Sequence, residues 1–194
     1  MSKSSIYKLT TSAILIALST VLSLIKVWQM PLGGAITLLS MVPVCLISIL
    51  YGTRYSIIPC FLYGAIQMFL DNPFGWGLTP AILIGSIFFD YLFAFGILCI
   101  AGSFRKYGTG GIIGGVALAC FARFISHFIS GFVLFANLDQ WAAFGKTFVN
   151  HPILYSICYN SFYMLPELVF TVIGMIILCK TGAVKHIQKI TERK

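Results

Sequence analysis

The stretch GGIIGGVALACFARFISHFISGFVLFA, residues 110–136, carries one charged side chain, Arg123, in 27 positions. A helix needs about 20 mostly apolar residues to cross the hydrocarbon core of a bilayer, so this segment is long enough to span a membrane. The whole chain has the same character, because 59% of its 194 residues are hydrophobic and 9% are charged. A soluble domain carries roughly a quarter charged residues. The sequence therefore predicts an integral membrane protein.

Six apolar segments are long enough to span, and residues typical of turns separate them. Their predicted bounds are 9–26, 36–52, 55–70, 79–102, 110–136 and 153–179. The predicted fold is an all-α membrane protein with six transmembrane helices, which form a single domain over residues 1–194.

Lysine and arginine side chains are concentrated on one side of these segments. That side holds Lys3, Lys8, Arg54, Arg105, Lys106, Lys180, Lys185, Lys189, Arg193 and Lys194. The opposite side holds Lys26, Asp71, Asp139 and Lys146. Cytoplasmic loops are richer in Lys and Arg, so both termini are predicted to be cytoplasmic. The net charge of +8 is then explained by the basic residues that set the orientation of the protein in the membrane. We expect no nucleic-acid binding, because no basic stripe alternates with aromatic residues.

Motifs of enzymes and metal sites are missing from the sequence. The six cysteines lie in apolar segments without a CxxC pair. The chain has no H-E-x-x-H, no G-x-S-x-G and no Walker A motif. We therefore expect no catalytic activity, no metal and no cofactor, and any ATP hydrolysis has to come from a partner.

Three ionisable side chains, Asp90, Arg123 and Glu167, lie at predicted membrane depth. A charge there costs several kcal/mol unless it is paired or faces a polar cavity, so each is a candidate site residue. His127 follows Arg123 by one helical turn and shares its helix face. With His127 neutral, the two negative charges of Asp90 and Glu167 exceed the positive charge of Arg123 by one, which favours a cavity for a monocation. The alternative is a structural ion pair of Arg123 with one of the two carboxylates.

Four stretches, spread over nearly the whole chain, form a recognisable pattern. They are residues 30–37 (MPLGGAIT) running on to 41–43 (MVP); Asp90-Tyr91 with Ala94-Phe95; Arg123-Phe124 with His127 and Ser130-Gly131; and Tyr155-Ser156 with Tyr159-Asn160, Tyr163 and Pro166. In order and spacing they resemble the substrate-binding S components of energy-coupling factor vitamin transporters, and within that family the thiamine-specific branch.

The resemblance implies a six-helix subunit that binds thiamine from outside, in a pocket of the later helices beneath the loop after the first helix. Its implied binding residues are Asp90, Tyr91, His127, Phe135, Tyr155 and Asn160, with Trp28 as an aromatic residue of the covering loop. Phe135 stands where the family sometimes has tryptophan, which implies weaker stacking. The chemistry agrees, because a thiazolium cation favours a buried carboxylate and aromatic faces. The aminopyrimidine favours amide and hydroxyl partners such as Asn160 and Tyr155.

Ala13 and Ala17 form a small-residue pair on one face of the first helix. The resemblance implies that this pair docks on an energy-coupling module, a transmembrane T component with two cytoplasmic ATPases, in the plasma membrane of a prokaryote. Two alternatives stay open. One is an S component for another vitamin, such as riboflavin or folate, and the other is a stand-alone cation carrier or channel that uses Asp90 and His127 as a relay.

Overall fold

The computed structural model describes residues 3–135, 142–143, 146–148 and 151–192. Asp139, Arg193 and Lys194, which the sequence assigns to the two sides of the membrane, lie outside the described residues. Most of the described residues are helical. The helices are α1 (Lys3–Leu24), α2 (Met41–Tyr51), α3 (Thr53–Asp71), α4 (80–102), α5 (108–135), α6 (Pro152–Lys180) and α7 (Ala183–Glu192).

Two of these helices change geometry along their length. In α4 an α-helical start, Pro80–Ser86, passes into a π-helical segment, Ile87–Phe93. In α5 the α-helix Gly108–Ser130 ends in a π-helical turn, Gly131–Phe135. Single π turns are rare in α-helices and are frequent at functional sites. Both π segments carry residues that the sequence singled out.

Several helices are long and apolar enough to cross a membrane. They comprise the stretches Ser4–Leu24, Pro80–Phe135 and Pro152–Lys180. The second of these stretches contains both α4 and α5. The chain is thus a helical membrane protein, as its composition predicts.

The predicted second helix, 36–52, is wrong at its start, and the predicted first helix, 9–26, both begins and ends too late. Helix α1 ends at Leu24, and an antiparallel hairpin of β1 (Lys26–Gln29) and β2 (Ala35–Thr37) follows. Leu39, with φ of 61°, keeps the chain out of helical geometry until α2 begins. The all-α prediction also misses a short pairing of Ala142–Ala143 with Lys146–Thr147. Hydropathy cannot distinguish a short apolar strand from a helix.

The other four predicted segments differ from α3, α4, α5 and α6 by at most two residues at either end. Helix α2 is buried along its length from Met41 to Leu50. A helix that is apolar on all sides belongs inside a bundle, and α2 packs against α1, α3, α4, α6 and α7. It is the centre of the core.

Glycines let the helices around α2 approach to backbone contact. A Cβ on Gly102 of α4 would lie 2.1 Å from the carbonyl oxygen of Ser48 in α2. A Cβ on Gly115 of α5 would lie 2.2 Å from the carbonyl oxygen of Ala101. Ser48 Oγ donates to the Cys99 carbonyl and accepts from the Gly102 amide at 2.9 Å. These contacts fix α4 between α2 and α5, with its π segment towards the end that carries the hairpin.

Candidate functional site

A cavity lies beneath the hairpin, among α1, α3, α4, α5 and α6. Its lining includes the charged side chains Lys26, Asp71, Asp90, Arg123 and Glu167, together with His127. Three carboxylates against two cations leave a formal charge of one negative unit when His127 is neutral. Charged groups inside a membrane domain mark ligand or ion sites by default, and the excess sign favours a cation.

Asp90 is the centre of a hydrogen-bonded cluster between α4 and α5. Its Oδ2 accepts from Ser86 Oγ at 2.8 Å and from Ser130 Oγ at 2.6 Å. Its Oδ1 lies 3.0 Å from Nδ1 of His127. Ser86 precedes Asp90 by four residues in a helical run, and Ser130 follows His127 by three, so each pair shares a helix face. The serines and the imidazole hold the carboxylate at the cavity.

His127 presents its second ring nitrogen without a protein partner. When Nδ1 donates to the Asp90 carboxylate, the neutral ring keeps an acceptor lone pair on Nε2. Nε2 is buried and has no hydrogen-bond partner among the described residues. Most buried polar atoms in proteins are hydrogen-bonded, so this nitrogen is a candidate acceptor for a donor on a ligand.

Helix α6 supplies an aromatic wall to the cavity. Tyr155, Tyr159 and Tyr163 are spaced by four residues and lie on one face. The rings of Tyr155 and Tyr159 are stacked, with centroids 5.8 Å apart and planes at 20°. Phe135, from the π turn of α5, packs into the same cluster. Trp76, from the segment between α3 and α4, also lines the cavity. Such faces bind a desolvated organic cation.

Asn160 joins the wall to the Asp90 cluster. Its Nδ2 donates to the His127 carbonyl at 3.2 Å and to the Ser156 carbonyl at 2.9 Å. Its Oδ1 accepts from the Tyr163 hydroxyl at 3.0 Å. Asn160 therefore orients Tyr163 and connects α6 to α5 directly at the site.

Arg123 and Glu167 do not form the ion pair that the sequence suggested. Within the described ranges, the salt bridges are Lys26 with Asp71 and His127 with Asp90. The Arg123 guanidinium lies over the ring of Phe95, 4.3 Å from its centroid, and its Nη1 lies 3.0 Å from Met41 Sδ. The Glu167 carboxylate instead accepts from Thr37. The pairing fails because the hairpin supplies the donors that the arginine was expected to supply.

The hairpin covers the cavity. The Tyr159 hydroxyl donates to the Pro31 carbonyl at the tip of the hairpin. Gly34 lies so close to α6 that a Cβ there would be 2.9 Å from Tyr163 Cε1. Gly33, with φ of 94°, would place a Cβ 2.5 Å from the Trp76 ring. The Gly33-Gly34 turn is thus the point at which the backbone lies directly on the aromatic residues.

The structure brings six of the seven sequence-predicted binding residues to one cavity. Asp90, Tyr91, His127, Phe135, Tyr155 and Asn160 all line it.

Trp28 does not belong to this set. It is 55% exposed, and its ring packs 6.3 Å from that of Phe162. The pairing register of β1 shifts between Lys26 and Trp28. This irregularity breaks the two-residue alternation that would place both side chains on the cavity side. The tryptophan that lines the cavity is Trp76.

Sequence reasoning missed Trp76, Ser86 and the contact between Thr37 and Glu167, and it placed Ser130 in the family pattern without a role at the site. The two serines could have been found from their one-turn spacing to Asp90 and His127. Trp76 lies in a Pro- and Gly-rich segment without periodicity, so no pattern indicated it.

As for metals, no group of three His, Cys, Asp or Glu side chains that could hold an ion occurs in the described part of the chain.

The family model for thiamine transporter protein (Thia_YuaJ) matches residues 9–187. The chain is 27% identical over 190 residues to the thiamine transporter ThiT of Bacillus subtilis (strain 168), which covers 90% of this chain and 91% of the relative. The fold is similar to the solved structure of ThiT from Listeria monocytogenes, with TM-score 0.72 and 23% identity, over 92% of this chain and 96% of the other. These relatives are transporters and not enzymes. Since the family model matches almost the entire chain, this membrane protein belongs to the thiamine transporter protein family.

Proposed function

We propose that the chain is the thiamine-binding S component of an ATP-driven energy-coupling factor transporter, located in the plasma membrane of a prokaryote. One observation carries the proposal. A partly buried carboxylate, Asp90, lies in an aromatic cavity with one excess negative charge, in a chain whose family is that of thiamine transporters. Thiamine is an organic monocation, so its charge and its aromatic rings both fit this cavity.

Each cavity residue has a role in this proposal. Asp90 neutralises the thiazolium charge, and Tyr91, Phe135 and Tyr155 supply ring faces. The unpartnered Nε2 of His127 accepts a hydrogen bond from the amino group of the pyrimidine. An analogue without that group would leave the nitrogen buried and unpaired, which gives discrimination.

Asn160 and Trp76 complete the proposed site. Asn160 orients the aromatic wall through Tyr163. Its NH₂ group donates to the His127 and Ser156 carbonyls, so the pyrimidine contact that the sequence assigns to Asn160 would be made by Oδ1, as an acceptor. Trp76 takes the place in the cover that the sequence gave to Trp28, since Trp76 lines the cavity and Trp28 does not.

The proposed topology keeps six membrane helices, α1 to α6, in one domain with cytoplasmic termini. At 1.5 Å per residue, the 11 residues of α2 extend only about 16 Å, so the hairpin occupies the remaining depth above it. The basic turns lie together at the other end. Arg105 donates to the carbonyls of Ile49 and Leu50 at 3.0 and 2.8 Å, where α2 ends. This clustering supports a cytoplasmic face there.

Docking on the coupling module is proposed for α1. Ala13 and Ala17 are both exposed and lie one turn apart. Bulky apolar side chains on the same helix, among them Ile14 and Leu18, are 62% and 47% exposed. An apolar surface with a small-residue pair suits close contact with another membrane helix. The chain has no Walker A motif, so the ATPases of the module would drive uptake.

Uptake into proteoliposomes tests the coupling. The proposal predicts thiamine accumulation when the chain is reconstituted with the T component, both ATPases and ATP. It predicts only background uptake when the chain is alone. Appreciable uptake by the chain alone would contradict the proposal and favour the stand-alone carrier that relays charge through Asp90 and His127.

Ala13→Trp tests the docking surface in the same vesicles. The added ring should abolish ATP-dependent uptake and leave thiamine binding unchanged, because Ala13 lies outside the cavity. Leu118→Trp is the matched control, since it adds a ring at a 42% exposed position of α5. Normal uptake by Ala13→Trp would exclude this surface.

A further inference from the structure

The second strand of the hairpin ends in a buried polar junction with α6. Glu167 Oε1 accepts from the Thr37 amide at 2.6 Å and from the Thr37 hydroxyl. The Ser40 hydroxyl lies 2.6 Å from that of Thr37. Glu167, Thr37 and Ser40 are 3%, 8% and 4% exposed. The junction thus joins residues 130 positions apart in the chain, away from competing water.

The hairpin is the source of the donors that Glu167 uses. No carboxylate, Glu167 included, lies within 4 Å of the Arg123 guanidinium in the described part of the chain. Displacing the hairpin would therefore remove these hydrogen bonds from the Glu167 carboxylate, which is costly wherever water does not replace them. Bonds to a charged acceptor are about twice as strong as neutral ones.

The ion pair that also ties the hairpin to the helices is more exposed. Lys26 Nζ lies 3.2 Å from Asp71 Oδ1, and their side chains are 27% and 19% exposed. Water and salt screen a partly exposed pair more than a buried one, so this pair is expected to contribute less. Of these two charged contacts, the Glu167 junction is therefore expected to contribute more to the attachment of the hairpin, beside the neutral hydrogen bond from Tyr159 to Pro31 at its tip.

Helix α6 connects this junction to the cavity. Glu167 follows Tyr163 by four residues, so both lie on one face. Tyr163 contacts the hairpin turn at Gly34, and Thr37 itself lines the cavity. A shift of the hairpin at Thr37 would change the covering of the cavity at the turn.

We propose that Glu167 is a positioning residue that anchors the hairpin over the cavity through Thr37 and so limits the rate at which bound ligand leaves. This inference rests on the proposed function for the identity of the ligand, thiamine. The anchoring itself can be measured without any ligand.

Four variants isolate the anchor. Glu167→Met removes the acceptor at similar side-chain volume, whereas Glu167→Gln keeps an acceptor oxygen without the charge. Thr37→Val removes the hydroxyl donor and keeps the amide, and the double variant combines it with Glu167→Met. Glu192→Gln, at the end of α7, and Thr10→Val, at an exposed position of α1, are the matched controls.

Two readouts are taken on the purified, full-length protein. Amide hydrogen exchange of the peptide that contains Thr37, without ligand, reports release of the hairpin. Stopped-flow chase of bound thiamine gives its dissociation rate. Glu167→Met should raise both rates about 10- to 100-fold, the range expected for losing hydrogen bonds to a buried charged group. Glu167→Gln and Thr37→Val should raise both rates about 3- to 10-fold, and the controls should stay within twofold.

The double variant should be no faster than Glu167→Met alone, because both changes break the same contact. Rates within threefold of the wild type in Glu167→Met would overturn the anchor. Faster dissociation with the Thr37 amide still protected would also overturn it, because the carboxylate would then act on the cavity and not on the hairpin.

Failure of the proposed function gives a different pattern. In that case the wild type binds no thiamine, while hydrogen exchange still reports whether Glu167→Met releases the hairpin. If Glu167→Met does not yield folded protein, Thr37→Val decides the matter. Unchanged exchange and dissociation in folded Thr37→Val would refute the role of the junction.

Discussion

Replacing Asp90 by asparagine removes the charge of the proposed site with almost no change in shape. The carboxylate accepts three hydrogen bonds, two on Oδ2 from serine hydroxyls and one on Oδ1 from His127. In Asp90→Asn the amide oxygen keeps the bond from the imidazole. The amide NH₂ faces Ser86 and Ser130, whose hydroxyls can turn to accept. The free energy of unfolding should therefore fall by about 1 kcal/mol or less.

The effect of Asp90→Asn on binding should be much larger. The formal charge of the cavity changes from one negative unit to zero, so the thiazolium loses its counter-charge in a buried site. Removing one partner of a buried charge pair costs about 2–5 kcal/mol. That loss corresponds to a rise in Kd of about 30- to 5,000-fold.

Titration of tryptophan fluorescence measures this Kd, because Trp76 lines the cavity. The thermal unfolding midpoint without ligand reports folding of the same sample. Asp90→Glu, which keeps the charge, should lose less affinity than Asp90→Asn, and Glu192→Gln should bind like the wild type. A Kd for folded Asp90→Asn within threefold of the wild type would refute the role of this carboxylate.

Three further predictions concern packing, stacking and the hairpin. Gly115→Ala should lower the free energy of unfolding by about 1–3 kcal/mol, and with it the thermal unfolding midpoint in detergent, because its Cβ would meet a carbonyl oxygen of α4 at 2.2 Å. Gly114→Ala, with open space around it, should leave the midpoint unchanged. Equal midpoints for the two variants would contradict the close contact. Phe135→Leu should weaken thiamine binding about 10-fold by loss of a ring face, whereas unchanged affinity in calorimetry would place Phe135 outside the ligand contacts. Lys26→Met should leave hydrogen exchange of the hairpin nearly unchanged, since its pair with Asp71 is partly exposed; a large loss of protection would assign the attachment to this pair.

The helices that could be predicted from the sequence are those for which the bilayer sets the length. Segments 55–70, 79–102, 110–136 and 153–179 correspond to helices of the structure to within two residues, because hydropathy reports how long an apolar run is. The contact between Asp90 and His127 could also be predicted, since polar groups at membrane depth have to find partners. Both residues could be assigned to a depth along their helices, and their side chains lie 3.0 Å apart.

The hairpin and its contact with Glu167 could not be predicted from the sequence in the same way. Residues 36–40 are part of a run that hydropathy reads as one helix, whereas the positive φ of Leu39 and the pairing with β1 decide their conformation. Glu167 looked like a partner for Arg123 because both are charged residues of the membrane segments. Its contact with Thr37 depends on how the hairpin folds over α6, which local sequence patterns do not report.

Calorimetric titration of the detergent-purified protein with thiamine, with pyrithiamine and riboflavin as competitors, measures the proposed binding itself. We expect sub-micromolar binding of about one thiamine per chain, competition by pyrithiamine and no response to riboflavin. Absence of heat and of thermal protection, in protein shown to be folded, would contradict thiamine binding, and tight binding of riboflavin would reassign the subunit to another vitamin.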